Sequence, residues 1–310
     1  MPAGRLLLVF VLLGAVACGD GSDAGDVTIS GSSTVEPISS AVAEEFVDVY
    51  DEPFAISVDG PGTGDGFERF CNGETDIADA SRPIKPEEVE TCEANDIDFV
   101  ELKVAVDGIT VVTSPRFDAL PCLTFEDLYA LVGPESVGVD RWSEAGDFPD
   151  APLVITAPGE ESGTYDTFVE LALTDIAEER GQEPQVRPDY QASPNDNVIV
   201  EAVRGSDSSF GWLGFSFFEQ NADELRAFEI DGGEGCVPPT AETIADGSYP
   251  LARPLFLYVS LANARDEPAV AAYVDYYLHD GIAKVAEVGY VPLTPEDLEA
   301  TRRAWEDATD

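Results

Sequence analysis

Three short segments combine hydroxyl side chains with glycine where a helix is expected to begin. They are Ser30-Gly31-Ser32-Ser33-Thr34, Gly62-Thr63-Gly64 and Glu161-Ser162-Gly163-Thr164. A helix start exposes N–H groups that lack partners and carries a partial positive charge, so it attracts an anion without any lysine. Glycine lets the backbone approach a ligand closely, and each hydroxyl adds a rotatable donor. Any one of these segments alone reads as an ordinary helix cap. Three of them, with Ser81-Arg82 at the end of another strand-like stretch, point to an oxyanion site.

Other chemistries find little support. The chain has one histidine, His279, at the expected C-terminal end of a helix, so a multi-histidine metal site is excluded. Gly-x-Ser-x-Gly is absent, which argues against a Ser-His-Asp hydrolase. The Gly60–Gly66 loop lacks both the Lys-Ser/Thr of a nucleotide-binding loop and the spacing of a dinucleotide turn. Tyr249, Trp212 and the Phe210–Phe218 run read as core, whereas the Pro- and Gly-rich surroundings of Trp142 leave it unplaced.

The elements around the three segments follow a strand–glycine turn–helix rhythm. Val27–Ser30 is a short strand, and the helix after it, from about Pro37 to Tyr50, carries Ile38, Val42, Phe46 and Val49 at helical spacing. Phe54–Val58 alternates as a strand before the second segment, and Phe67 and Phe70 open the next helix. Asp76–Ala78 is a short strand, Pro86–Asn95 a helix, and Phe99–Val106 and Ile109–Thr113 are two strands. Further on come a helix at Thr124–Val132, a strand at Leu153–Thr156 and a long helix at Thr164–Glu179. Helices at Asn195–Arg204 and Pro268–Leu278 flank an apolar strand at Leu255–Ser260. This alternation predicts an α/β fold with mainly parallel strands.

Composition bounds what such a site can serve. Among 310 residues, 62 acidic side chains face 16 basic ones, a formal net charge of -46. A surface this negative repels nucleic acid and anionic membranes, and no basic run offsets it. Hydrophobic content of 44% is enough for real cores, and the acidity reads as a solvated surface suited to salty surroundings. Residues 1–17 read as an export signal, with Arg5 ahead of the apolar Leu6–Leu13 run. Ala15-Val16-Ala17-Cys18 resembles a lipobox that makes Cys18 the lipidated N-terminus, although Ala15 stands where Leu or Val is usual. Residues 18–26 form a polar tether. Export suits four further cysteines, for which three pairings exist. Cys71–Cys92 with Cys122–Cys236 is favoured, because the first pair lies in one local helical region; no C-x-x-C unit supports zinc.

The segments also carry a resemblance. Ser30-Gly31-Ser32-Ser33-Thr34-Val35-Glu36-Pro37, the stretch from Phe70 to Ile84 containing Asp79-Ala80-Ser81-Arg82-Pro83, Glu161-Ser162-Gly163-Thr164 and Asp196-Asn197-Val198 together resemble the phosphate-binding proteins of ABC transporters, the PstS group of type II solute-binding proteins. The likeness spans nearly all of the chain after the signal. It implies two α/β lobes, each a mainly parallel sheet flanked by helices, joined by a two-strand hinge and closing over one phosphate. Lobe I is expected at residues 27–111 and 259–310, and lobe II at 112–258. The resemblance implies ligand contacts from Ser33, from the N–H groups of Thr34 and Val35, and from the hydroxyls of Thr34, Thr63 and Ser81. Ser162, Gly163 and Thr164 would cap the anion from the opposite lobe.

Two departures matter. Some relatives carry an arginine four residues before the third-segment serine, where Pro158 stands here, and some carry an aspartate at the position of Ser81. Arg82 is expected to supply the missing charge, and Asp196, or else Asp65, to accept the ligand's proton. Such an acceptor separates phosphate, which keeps a proton near neutral pH, from sulfate, which has none. The implied protein is a monomer without cofactor or enzymatic activity, serving a membrane permease. The rival expectations are a binder of sulfate, molybdate or arsenate, and a secreted phosphatase.

Overall fold

A computed structural model describes residues 25–50 and 54–309. The signal, Cys18 and nearly all of the tether lie outside the described residues. No helix among the described residues is long and apolar enough to cross a membrane.

A nine-stranded mixed sheet organises the fold. From one edge its strands run Ala55–Asp59, Asp26–Gly31, Ile77–Ala80, Ala252–Ser260, Phe99–Thr113, Ser209–Gly214, Val154–Ala157 and Gln191–Ala192, with Arg226–Ala227 paired to the end of Phe99–Thr113. The three strands at the first edge are mutually parallel, as are the three at the other. The long pair at the centre, Phe99–Thr113 and Ala252–Ser260, is antiparallel. A small sheet of Cys122–Thr124, Glu229–Asp231 and Cys236–Val237 lies apart.

The two largest of four buried clusters mark two lobes. One gathers Val27, Ile29, Phe46, Val104, Leu255 and Tyr273; the other gathers Val106, Val111, Leu128, Trp142, Phe168 and Trp212. The outgoing strand changes core between Ala105 and Val106, and the returning chain between Leu251 and Leu255. These changes of core fall near residues 106 and 252. Phe256–Val259 pair directly with Ile77–Ala80 and so belong to the first lobe's sheet. The tail is shared: Val291 pairs with Val106 and packs with Leu293 into the second core, while Trp305 fills the first.

Phe99–Thr113 is one strand of 15 residues, not two. The break expected at Asp107-Gly108 is absent, and the backbone runs straight through. A Cβ at Gly108 would press on Ile244 at 2.8 Å, and Asp107 is buried rather than looped out. The expected long helix is continuous from Gly163 to Glu179, with one widened π turn over Val169–Leu173. Trp142 is fully buried, stacked on Phe117 at 4.7 Å. Both favoured disulfides are present: Cys71–Cys92 ties two neighbouring helices, and Cys122–Cys236 clips the small sheet.

Candidate functional site

The parallel strands of the first lobe deliver their loops to one end of the sheet, the end at which α/β folds bind ligands. Two glycines let those loops touch. A Cβ on Gly31 would meet the Asp79 carbonyl oxygen at 2.0 Å, and one on Gly66 would meet Gly31 Cα at 2.4 Å. The Ser32 N–H donates to the Asp79 carbonyl at 2.8 Å, and the Gly62 N–H to the Gly31 carbonyl at 2.8 Å. These bonds align the first loop, the start of the Thr63–Cys71 helix, and Ser81-Arg82 beyond the third strand.

They enclose a cavity of about 290 Å³. The first lobe lines it with Ser32–Thr34, Gly62–Gly64, Ser81 and Arg82. Thr63 and Ser81 hydroxyls lie 3.1 Å apart, and the Ser81 N–H donates to Thr63 Oγ1 at 3.2 Å. The second lobe adds Asp166 and Glu170, one turn apart on the helix that follows the third segment. That helix is anchored by Phe168, whose ring stacks on Trp212 at 4.2 Å.

Arg253, at the head of the returning hinge strand, completes the wall. Its guanidinium reaches both lobes. Nη2 donates to Thr34 Oγ1 at 3.0 Å and to Thr167 Oγ1, and Nη1 donates to Glu170 at 2.5 Å. Nε has no hydrogen-bond partner and stands 3.7 Å from Asp107. Arg253 and Asp107 side chains are 6% and 7% exposed, so this charge is held in a poorly solvated place where it acts strongly on a ligand. Burial raises the Asp107 carboxyl above its usual range, with Arg253 opposing. Because Thr34 Oγ1 accepts from Arg253, the Thr34 hydroxyl hydrogen remains free to donate into the cavity.

Arg82 also lines the cavity, but its charge is already committed. It makes a bidentate pair with Glu88 at 2.7 and 2.8 Å and lies over the Phe67 ring at 5.4 Å. Arg253, nearly fully buried and bonded to both lobes, stands as a second cation on the same wall. The sequence did hold a signal for it: Arg253 is a lone charge in the apolar stretch Leu251–Val259, and a buried charge requires a partner or a task.

Of the residues singled out in the sequence, Ser33, Thr34, Thr63, Ser81 and Arg82 come together on the cavity wall. Val35 does not. It is fully buried, and its N–H is spent on the Ser32 carbonyl at 3.0 Å. The Thr34 N–H points to Ser32 Oγ at 3.2 Å. Gly163 sits against the first loop, where an added Cβ would lie 3.5 Å from Thr34 Oγ1. Ser162 caps its own helix, its Oγ accepting from the Thr164 N–H at 3.2 Å, and neither residue lines the cavity.

The two expected proton acceptors are displaced as well. Asp196 begins the Asp196–Gly205 helix, and Asp65 is exposed on the Thr63–Cys71 helix; both lie off the cavity wall. Asp166 does line the cavity. It accepts from Ser33 Oγ at 3.4 Å across the two lobes, and partial burial pushes its carboxyl above the ordinary range. Among the described residues, no group of His, Cys, Asp and Glu is arranged to hold a metal ion.

Comparison with known proteins agrees with this architecture. Residues 18–280 match the PBP superfamily domain. Protein SphX of Synechocystis is 40% identical, the alignment covering 96% of this chain and 87% of that protein. The phosphate-binding protein PstS of Staphylococcus haemolyticus is 36% identical over 92% of this chain and 89% of its own. Among solved structures, a possible phosphate-binding protein from Planctomyces limnophilus superposes with a TM-score of 0.86 at 37% identity. That match covers 93% of this chain and 99% of the other.

Proposed function

The chain belongs to the PBP superfamily, in its PstS-type phosphate-binding group, and from that premise we propose that it captures inorganic phosphate outside the cytoplasm for import. Phosphate sits between the lobes and is handed to an ABC-type permease, with the chain held at the membrane through a lipidated Cys18. The protein acts by binding and closure, without chemical turnover.

One observation carries this reading. Hydroxyls of Thr34, Thr63 and Ser81 from one lobe, a carboxylate from the other and the guanidinium of Arg253 from the hinge converge on a single small cavity. Donors in contact with the ligand outweigh the distant surface charge, which salt screens within about 8 Å. Asp166 is the acceptor for the proton that phosphate retains. The same carboxylate meets sulfate with lone pair against lone pair. A ligand bridging both walls favours the closed arrangement because only there does it touch all of these groups.

Equilibrium dialysis of ligand-stripped protein against radiolabelled phosphate tests the reading. Saturable uptake of one phosphate per chain, resistant to a large excess of sulfate, is expected. Equal competition by sulfate would assign the site to another oxyanion, and no uptake would refute the reading.

A further inference from the structure

The anion site contains its own anion. Glu170 lines the same cavity as the hydroxyls and holds Arg253 Nη1 at 2.5 Å, so the cation meant for a ligand is engaged by a carboxylate of the opposite lobe. Arg253 keeps compensation without it, since buried Asp107 stands 3.7 Å from Nε and Thr34 and Thr167 accept from Nη2. Glu170 differs from Asp107 in one decisive way. Its side chain is 48% exposed, against 7% for Asp107, so it can turn into water at little desolvation cost. Among the described residues, Arg253 is its one ion-pair partner, and no second hydrogen bond fixes the carboxylate.

We propose that Glu170 is a displaceable stand-in for phosphate: it neutralises Arg253 while the cleft is empty, and the incoming anion takes its place on Nη1. This rests on phosphate being the ligand. The device has two consequences. An unoccupied cleft is spared an uncompensated buried cation, and so holds its lobes together without ligand. Each binding event must also overcome the carboxylate, whose charge lies within a few ångströms of the anion. Affinity is thereby set below what the donors could reach, which suits a receptor that must release its cargo. Because Glu170 acts through its charge and not as the acceptor of a ligand proton, it sets affinity more than choice of ligand, in contrast to Asp166.

The test is calorimetric titration of wild type, Glu170→Gln and Glu170→Ala with inorganic phosphate, in low salt and in molar salt. Both variants are expected to bind about fivefold or more tightly than wild type in low salt, with the gain shrinking as salt rises. Their preference for phosphate over sulfate should stay as in wild type. A residue that merely supported the fold could only weaken binding when removed. Circular dichroism melts identify any variant that fails to fold, and the second variant then carries the comparison. If wild type binds phosphate but the folded variants bind equally or less tightly, this inference alone falls. If wild type does not bind, the receptor reading falls and this inference with it.

Discussion

Truncating Arg253 to Ala removes a cation that touches both walls of the cleft. Loss of a buried, hydrogen-bonded charge weakens binding about 30-fold or more, so phosphate calorimetry on R253A should show at least that drop. Arg82→Ala should cost less, because Glu88 already neutralises that guanidinium. An equal loss in the two variants would contradict the assignment of roles. Asp166→Asn exchanges an acceptor for a group that can also donate. It should lower phosphate affinity and raise sulfate affinity, collapsing the discrimination; unchanged selectivity in competition titrations would remove Asp166 from its role. Directly beneath the site, Asp79 is buried with its Oδ1 held by Ser39 at 3.0 Å and its Oδ2 without a partner. Burial pushes its carboxyl up to about 7. The native state therefore binds this proton more tightly than the unfolded chain does. The resulting stabilisation is complete below the ordinary carboxylate pKa of about 4 and disappears as pH rises through about 7. Urea melts should show stability falling across that window in wild type, and Asp79→Asn should flatten the fall.

At the scale of elements, what was legible in the sequence was what is local. The helix at Glu36–Val49 announces itself through Ile38, Val42 and Phe46 at helical spacing, and its strand–loop–helix setting through Gly31 and the hydroxyls beside it. Hence Ser33, Thr34, Thr63 and Ser81, the first-lobe hydroxyl residues on the cavity wall, are legible in these local patterns. What escaped depends on contacts distant in sequence. The sequence suggests a break between strands at Asp107-Gly108, yet Asp107 is held in one continuous strand by Thr167 and Arg253, 60 and more residues away. Arg253 itself becomes a site residue only because that strand returns beside Phe99–Thr113. The third segment, Glu161 to Thr164, reads as the binding element in sequence, whereas the cavity is lined further along that helix by Asp166 and Glu170. The Cys122–Cys236 bridge, 114 residues in separation, belongs to this scale too. Replacing both cysteines with Ser should cost about 3–5 kcal/mol in denaturant melts while leaving phosphate affinity within a few-fold, because the clip lies on the small sheet away from the cavity. A large loss of affinity in a folded variant would show that the small sheet helps shape the cleft.

For the whole molecule, two cores joined by two strands define a hinge, and the ligand groups are divided among the first lobe, the second lobe and the hinge itself. A surface with a net charge of -46 surrounds them, so selection for an anion must come from contact geometry rather than from the protein's overall field. A crystal structure of the phosphate-saturated protein tests the convergence of those groups most directly. Tetrahedral density within about 3 Å of Thr34 Oγ1, Ser81 Oγ and an Arg253 nitrogen is the predicted result. Phosphate bound elsewhere on the chain, with this cavity holding only water, would contradict it.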